Sequence, residues 1–244
     1  MHARDICGIS FKWTVIIERV VAQPTRIVAI GRNFVEHVRE LNNTVPKEPF
    51  FFLKPTTSYL ANGGKIEIPR GTIVHHEVEL GVVISRTGRD IPSAQADSYV
   101  AGYALAIDMT ARNVQDDVKK KGLPWTTAKG FDTFTPIGPF IPKSSIADPH
   151  NLNLWLKING QFKQNGTTAA MIVQIPRLIE HVSSIMTLEE GDLILTGTPS
   201  GVGPVNAGDT VTVGLAVAES PDMLSELEFL AVDREGGYAF GSGA

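Results

Sequence analysis

The segment Val74-His75-His76-Glu77-Val78-Glu79-Leu80-Gly81 sets two carboxylates, two residues apart, among aliphatic strand-formers. On a strand, residues two apart share a face, so Glu77 and Glu79 point the same way together with His75. His76, Val78 and Leu80 take the other face. Burying two neighbouring carboxylates is costly unless a positive group lies between them. Periodicity alone lets the acidic face open on solvent or on a site, with the opposite face toward the core. A third acid, Asp108, closes the apolar run Val-Ala-Gly-Tyr-Ala-Leu-Ala-Ile at 100–107. Three converging carboxylates form an oxygen-rich donor set suited to Mg²⁺ or Mn²⁺. A two-His-one-carboxylate iron site fits less well, because His75 and His76 point to opposite faces.

Other residues carry weaker signals. In GRNFVEHVREL, 31–41, a helix beginning near Phe34 makes His37 and Glu40 neighbours three apart. A carboxylate beside an imidazole raises its basicity and fixes its tautomer, which suits a water-activating base. The same spacing describes an ordinary surface pair. Arg112 and Gln115 are again three apart, and Lys129 is a lone cation after WTTA. That lysine is either a surface residue or a cation held for an anionic substrate. LILTGTPSGVGP, 193–204, sets a Gly-rich loop after a strand, able to hold a carboxylate or phosphate or simply to turn. It is neither a Walker loop nor G-x-G-x-x-G.

These groups need elements to position them. Strands are expected at 14–21, 26–30, 50–54, 65–68, 77–85, 100–108, 152–158, 193–196, 210–213 and 227–231. Asn159-Gly160 marks a two-residue hairpin between LNLWLKI and QFKQ. Helices are expected at 34–41 behind Asn33 as N-cap, at 111–121 after Thr110 and ending at Gly122, and at 175–184 with Pro176 in the first turn. Strands outnumber helices without alternating with them, which argues for an α+β, predominantly β fold. One domain over 24–232 is the simplest partition, with 1–23 an N-terminal extension and 233–244 a flexible, Gly-rich tail.

At 244 residues the chain can bury a substantial core. A net charge of −4, with the one basic run (Lys119–Lys121) preceded by Asp116 and Asp117, argues against nucleic acid. The single Cys7 excludes an internal disulfide framework and a multi-thiolate zinc site. No apolar run approaches the roughly 20 residues that span a bilayer. The N-terminal stretch lacks a secretory core, and Asp5 and Glu18 weaken a presequence reading, so the expected location is cytoplasmic or mitochondrial and not secreted.

The ordered motifs GRNFVEHVREL, FFLKPTTSYL, HHEVELGVVI, GYALAIDMTARNVQDDVKKKGLPWTTAKGFDTFTPIGP and LTGTPSGVGP cover about 26–215 and together resemble the fumarylacetoacetate hydrolase superfamily. RNFVEHVREL and KKKGLPWTTAK are most similar to its acylpyruvase and oxaloacetate decarboxylase branch. The resemblance implies a mixed β-sandwich or roll with few short helices, commonly a homodimer. It implies that Glu77, Glu79 and Asp108 hold Mg²⁺ or Mn²⁺, that His37 and Glu40 form a dyad on a lid helix, and that Lys129 lies near the metal. Arg112, Gln115 and Thr198 fall on substrate-contacting positions. The implied activity is cleavage of a C–C bond in pyruvate-derived keto acids: acylpyruvate hydrolysis, oxaloacetate decarboxylation or tautomerisation. The alternatives are an isomerase or hydratase of hydroxy-diene-dioates and a catalytically silent scaffold. Residues 1–23, the tail and AVAESPDM (an apparent insertion) depart from the family pattern.

Overall fold

The computed structural model describes residues 26–40, 44–220 and 222–241. The strands, in chain order, are β1 (Ile27–Gly31), β2 (Phe50–Lys54), β3 (Tyr59–Ala61), β4 (Lys65–Ile68), β5 (Val74–His76), β6 (Val78–Ile84), β7 (Val100–Ile107) and β8 (Thr110–Ala111). There follow β9 (Thr135–Ile137), β10 (Ile141–Pro142), β11 (Leu152–Ile158), β12 (Gln161–Thr167), β13 (Leu193–Leu195), β14 (Gly203–Val205), β15 (Thr210–Val217) and β16 (Met223–Asp233). Four helices accompany them: α1 (Val35–Glu40), α2 (Arg112–Lys120), α3 (Thr126–Lys129) and α4 (Ile175–Ile185). The predominantly β expectation is met.

The main sheet runs β2-β1-β13-β6-β7-β9-β3, with β10 also paired to β7. A second sheet runs β12-β11-β15-β16-β4, and a small third one β14-β5-β8. Apolar residues of β6, β11, β15, β16 and α4, among them Leu80, Leu154, Val213, Phe229 and Leu178, meet in one large core. A second cluster, including Ile27, Val83, Ala104 and Leu193, covers the other face of the main sheet. Every residue of β6 is therefore buried. Of the two expectations for the acidic face, solvent is excluded: the acids are buried and line a cavity. Emptying such a position, as in Leu80→Ala, costs about 2–5 kcal/mol.

Local chemistry explains the elements that were anticipated. Asn159 (φ 50°) and Gly160 (φ 78°) both take the left-handed conformation that a two-residue hairpin requires. Pro176 sits in the first turn of α4, and Leu178, Ile179 and Val182 form its buried stripe. Gly122 (φ 66°) ends α2.

Several expectations change. The strand expected at 77–85 spans 78–84, with a separate short strand at 74–76 before it across a break at Glu77, and the last two strands extend to 210–217 and 223–233. Strands β3, β8, β9, β10 and β14 went unread, since two or three residues carry too little alternation and β9, β10 and β14 contain proline. Asn33 does not cap α1. Its amide reaches across the fold, donating to Val173 O and Thr196 O at 2.9 Å and accepting from Val173 N at 2.8 Å. Thr110 lies in β8 and donates its hydroxyl to Asp108 O. The tail contacts the domain through residue 240: the Tyr238 ring lies 5.5 Å from that of Phe131 at a tilt of 58°, and Phe240 N donates to Arg70 O. The strand expected at 14–21 lies outside the described residues.

Candidate active site

Glu77 occupies the break between β5 and β6, and its carbonyl accepts from Asp108 N at 2.8 Å. That bond sets the end of β7 beside the start of β6. Glu79 projects to the same side, and one carboxylate oxygen from each of Glu77, Glu79 and Asp108 lies within 4.8 Å of the others. All three residues are buried, none more than 6% exposed.

The positive groups that permit this come from three other elements. Lys129, at the end of α3, donates to Glu77 Oε2 at 2.9 Å and Asp108 Oδ2 at 2.5 Å. Lys54, closing β2, donates to Asp108 Oδ1 at 2.5 Å and Phe134 O at 2.6 Å. Arg112, opening α2, grips Glu77 Oε1 and also donates to Gln115 Oε1 at 2.5 Å and His75 Nδ1 at 3.3 Å. Burial disfavours the charged forms, and the pairs answer it unequally. Burial works against the Glu77 charge, but Lys129 and then Arg112 outweigh it and hold its carboxyl far below the usual range. Burial likewise opposes the Lys129 ammonium, yet Asp108 and Glu77 raise its pKa. Lys54 is pulled down, burial outweighing its attraction to Asp108.

Glu79 differs. Among the described residues it has no ion pair; its Oε2 accepts from Gly197 N at 2.7 Å. Burial, then Asp108 and Glu77, push its carboxyl well above the ordinary value. The donors are hard oxygens on three sides, and the acid least compensated by protein cations lies among them. That set fits a divalent metal such as Mg²⁺ or Mn²⁺.

The TGTPSG loop is stitched to the same strand. Thr196 N and Oγ1 both donate to Leu80 O, Gly197 N reaches Glu79, and Thr198 Oγ1 donates to Val78 O at 2.8 Å. Gly197 adopts φ 96°, where a Cβ would sit 2.9 Å from that of Asn33. Gln164, buried on β12, completes the seam. Its Oε1 accepts from Val78 N and His76 Nδ1, while its Nε2 donates to Thr198 Oγ1 and Pro199 O, all within 3.0 Å. The amide thus uses its full hydrogen-bonding capacity. His76 is neutral and structural in this setting, its pKa lowered by burial. His75 meets Arg112, and burial followed by that guanidinium lowers its pKa to about 4.

A cavity of about 440 Å³, counting its open mouth, lies over the carboxylates. Phe52 and Trp125 wall it, and Arg32, His37, Arg112, Gln115, Lys129 and Thr198 reach it. His37 is buried on α1, with Nδ1 3.4 Å from Glu40 Oε2. Glu40 also accepts from Gly201 N at 3.0 and 3.2 Å, tying α1 to the loop. Eight of the nine residues singled out from the sequence line one cavity, and the ninth, Glu40, backs His37. Thr198 is present, with its hydroxyl proton committed to the backbone.

Sequence reading passed over Lys54, Gln164, Arg32 and the aromatic wall. A lysine closing the apolar strand FFFLK was the one available signal for Lys54. Gln164 gave none, since it sits in a polar edge strand where a glutamine is unremarked.

Comparisons with known proteins place the chain in a family. Residues 26–227 match the model for fumarylacetoacetate (FAA) hydrolase C-terminal domains. An oxaloacetate tautomerase, FAHD1, of Arabidopsis thaliana mitochondria is 54% identical over 217 residues, covering 88% of this chain and 95% of that protein. A mitochondrial oxaloacetate decarboxylase of Dictyostelium discoideum is 58% identical over 192 residues, covering 78% and 88%. Among solved structures, fumarylpyruvate hydrolase from Pseudomonas aeruginosa, in complex with Mn²⁺ and pyruvate, superposes with a TM-score of 0.78 at 33% identity, covering 86% of this chain and 90% of that one. By sequence and by fold, the chain belongs to the fumarylacetoacetate hydrolase family.

Proposed function

We propose that this chain is a divalent-metal-dependent enzyme acting on pyruvate-derived keto acids, with oxaloacetate tautomerisation or decarboxylation and acylpyruvate hydrolysis as its reactions. The observation that carries the reading is the buried cluster Glu77, Glu79 and Asp108 beneath a cavity that His37 also lines. Relatives named for oxaloacetate favour these reactions over isomerisation of hydroxy-diene-dioates. Glu77, Glu79 and Asp108 are the metal ligands in this reading. A Mg²⁺ or Mn²⁺ ion held there supplies Lewis acidity toward the carboxylate and 2-keto oxygens of the substrate.

The remaining chemistry belongs to the chain. Arg112, braced by Glu77, and Gln115, braced by Arg112, orient the substrate carboxylate. Thr198 shapes the opposite wall. Lys129, held charged by its two carboxylates, favours negative charge appearing at the ketone oxygen. With Nδ1–H directed to Glu40, His37 presents the Nε2 lone pair to the cavity. In acylpyruvate hydrolysis that nitrogen takes a proton from the water that attacks the distal acyl carbonyl, the C–C bond then breaks, and the proton is returned to C3 of the departing pyruvate unit. In tautomerisation it takes the C3 proton of oxaloacetate, and a proton is delivered to the C2 oxygen to complete the enol. Decarboxylation needs neither abstraction at its first step, since carbon dioxide leaves without the C3–C4 bonding pair, which remains on the pyruvate unit as its enolate and is protonated later.

The reading includes one catalytic domain over 24–232, a homodimer, and a mitochondrial location shared with the relatives. Chelator-treated protein should release pyruvate from oxaloacetate or acetylpyruvate, or interconvert oxaloacetate tautomers, only after Mg²⁺ or Mn²⁺ is restored. Undiminished turnover without metal overturns the metal role. Preference for a long diene-dioate overturns the substrate class.

A further inference from the structure

The cations around the cavity fall into two groups. Lys54, Lys129 and Arg112 are each bonded to a carboxylate of the cluster. Arg32 and Lys119 also line the cavity, and among the described residues neither has a carboxylate partner. Lys119 is an exposed residue near the end of α2, whereas Arg32 is built into place.

Arg32 has φ 58°, a left-handed conformation that a residue with a side chain adopts only at a cost. Its two neighbours hold it there. Gly31 lies so close beneath Phe50 that a Cβ would sit 2.2 Å from the ring. Asn33 is clamped by its three bonds to Val173 and Thr196. The Arg32 guanidinium then rests over the Phe50 ring, its carbon 5.5 Å from the centroid. A cation–π contact of this kind steadies a guanidinium without using its N–H groups as a salt bridge would, so they remain available for a carboxylate.

We propose that Arg32 is a specificity-determining residue that receives the distal carboxylate of a dianionic keto acid whose carboxylate and ketone end lies over the Glu77–Glu79–Asp108 cluster. Within the cluster, Lys54, Lys129 and Arg112 are engaged by its acids, so Arg32 is a cation whose anionic partner can come from a ligand. The strained turn at Arg32 then places a further cation where the second carboxylate of a short diacid would lie. This inference rests on the keto-acid reading above.

Arg32→Gly tests it without endangering the fold, because glycine suits φ 58°. The variant should melt at the wild-type temperature or higher. Compare KM for oxaloacetate, which has a distal carboxylate, with the competitive inhibition constant of pyruvate, which has none. The ratio of the first to the second should rise at least about tenfold in Arg32→Gly, with a smaller rise in Arg32→Lys, which keeps the charge and loses the fork. A ratio unchanged in both variants, whether the two constants move together or not at all, overturns the Arg32 assignment and leaves the keto-acid reading standing. A wild-type protein that neither turns over oxaloacetate nor binds pyruvate overturns the keto-acid reading, and this assignment with it.

Discussion

The carboxylate floor and the His37–Glu40 arm serve one cavity but are built in different ways. The floor lies at the ends of β6 and β7 in the main sheet, its acids fixed by Lys54, Lys129 and Arg112 from three separate elements. The arm is a six-residue helix whose dyad spans 3.4 Å and is steadied by Gly201 N. A charge in the floor cannot lose its partner without stranding another buried charge. The arm pairs the buried imidazole of His37 with Glu40, whose side chain is 32% exposed, so separating them strands no second buried charge and costs about 1 kcal/mol or less. Fold and chemistry are thus coupled in the floor and nearly separable in the arm.

The largest expected effect breaks the floor. Asp108→Asn removes the anion shared by Lys54 and Lys129. It should destabilise the metal-free protein by about 3–5 kcal/mol, read from denaturant midpoints. Metal affinity should fall by more than about a hundredfold, beyond the cost of losing a group that merely supports a ligand. Retained metal-dependent turnover with near-native stability would remove the distinction between the two regions.

His37→Ala probes the arm. Acylpyruvate hydrolysis should fall by about 10²–10⁴-fold, the usual range for a lost general base. Metal affinity should stay within about twofold of wild type, and stability should change far less than in Asp108→Asn. Hydrolysis at the wild-type rate removes His37 from the base role; a collapse in metal affinity would show that arm and floor are one unit.

Gln164→Leu sharpens the boundary of the floor. It strips hydrogen bonds from Val78 N, His76 Nδ1, Thr198 Oγ1 and Pro199 O in one step. Stability should drop by about 1–3 kcal/mol, as for leaving buried polar groups unmet. Metal affinity should weaken by about tenfold, because Val78 sits between two of the acids and Thr198 follows the residue that bonds Glu79. Unchanged affinity in the folded variant would confine Gln164 to stability.

This division explains what the sequence could disclose. His37–Glu40 and Arg112–Gln115 are helix pairs three apart, and Glu77–Glu79 a strand pair two apart, so local periodicity names them. Asp108 became readable as an acid ending an apolar run, and the order of the motifs joined these pieces. Lys54, Gln164 and Asn33 act across 54, 34 to 88, and 140 to 163 positions respectively, and no local spacing reports such contacts. The large β segments were legible because alternation and turn residues are local. Burial of the acidic face was not, because it depends on apolar residues from β1, β7 and β13 that complete the second cluster.

The smallest expected effect lies where these two kinds of information meet, at His76. Burial lowers its pKa, so the unfolded chain binds a proton below about pH 6.5 that the folded chain refuses. Its contribution to stability is therefore level above that pH and declines as pH falls toward the lowered value, by about 1.4 kcal/mol for each tenfold difference in proton affinity between the two states. His76→Phe removes this titration while leaving Val78 N on Gln164 Oε1. Stability of chelator-treated wild type and variant, measured from pH 7.5 to 4.5, should differ by an amount that shifts in the variant's favour as pH falls. Taking the difference cancels Glu79, raised and of opposite sign, whereas His75, lowered to about 4 by burial and in part by His76 itself, adds to the shift in the same direction at the acid end of the range. A difference constant with pH would mean that His76 accepts its proton in the folded protein, and that the seam tolerates a protonated Nε2 with no hydrogen-bond partner among the described residues.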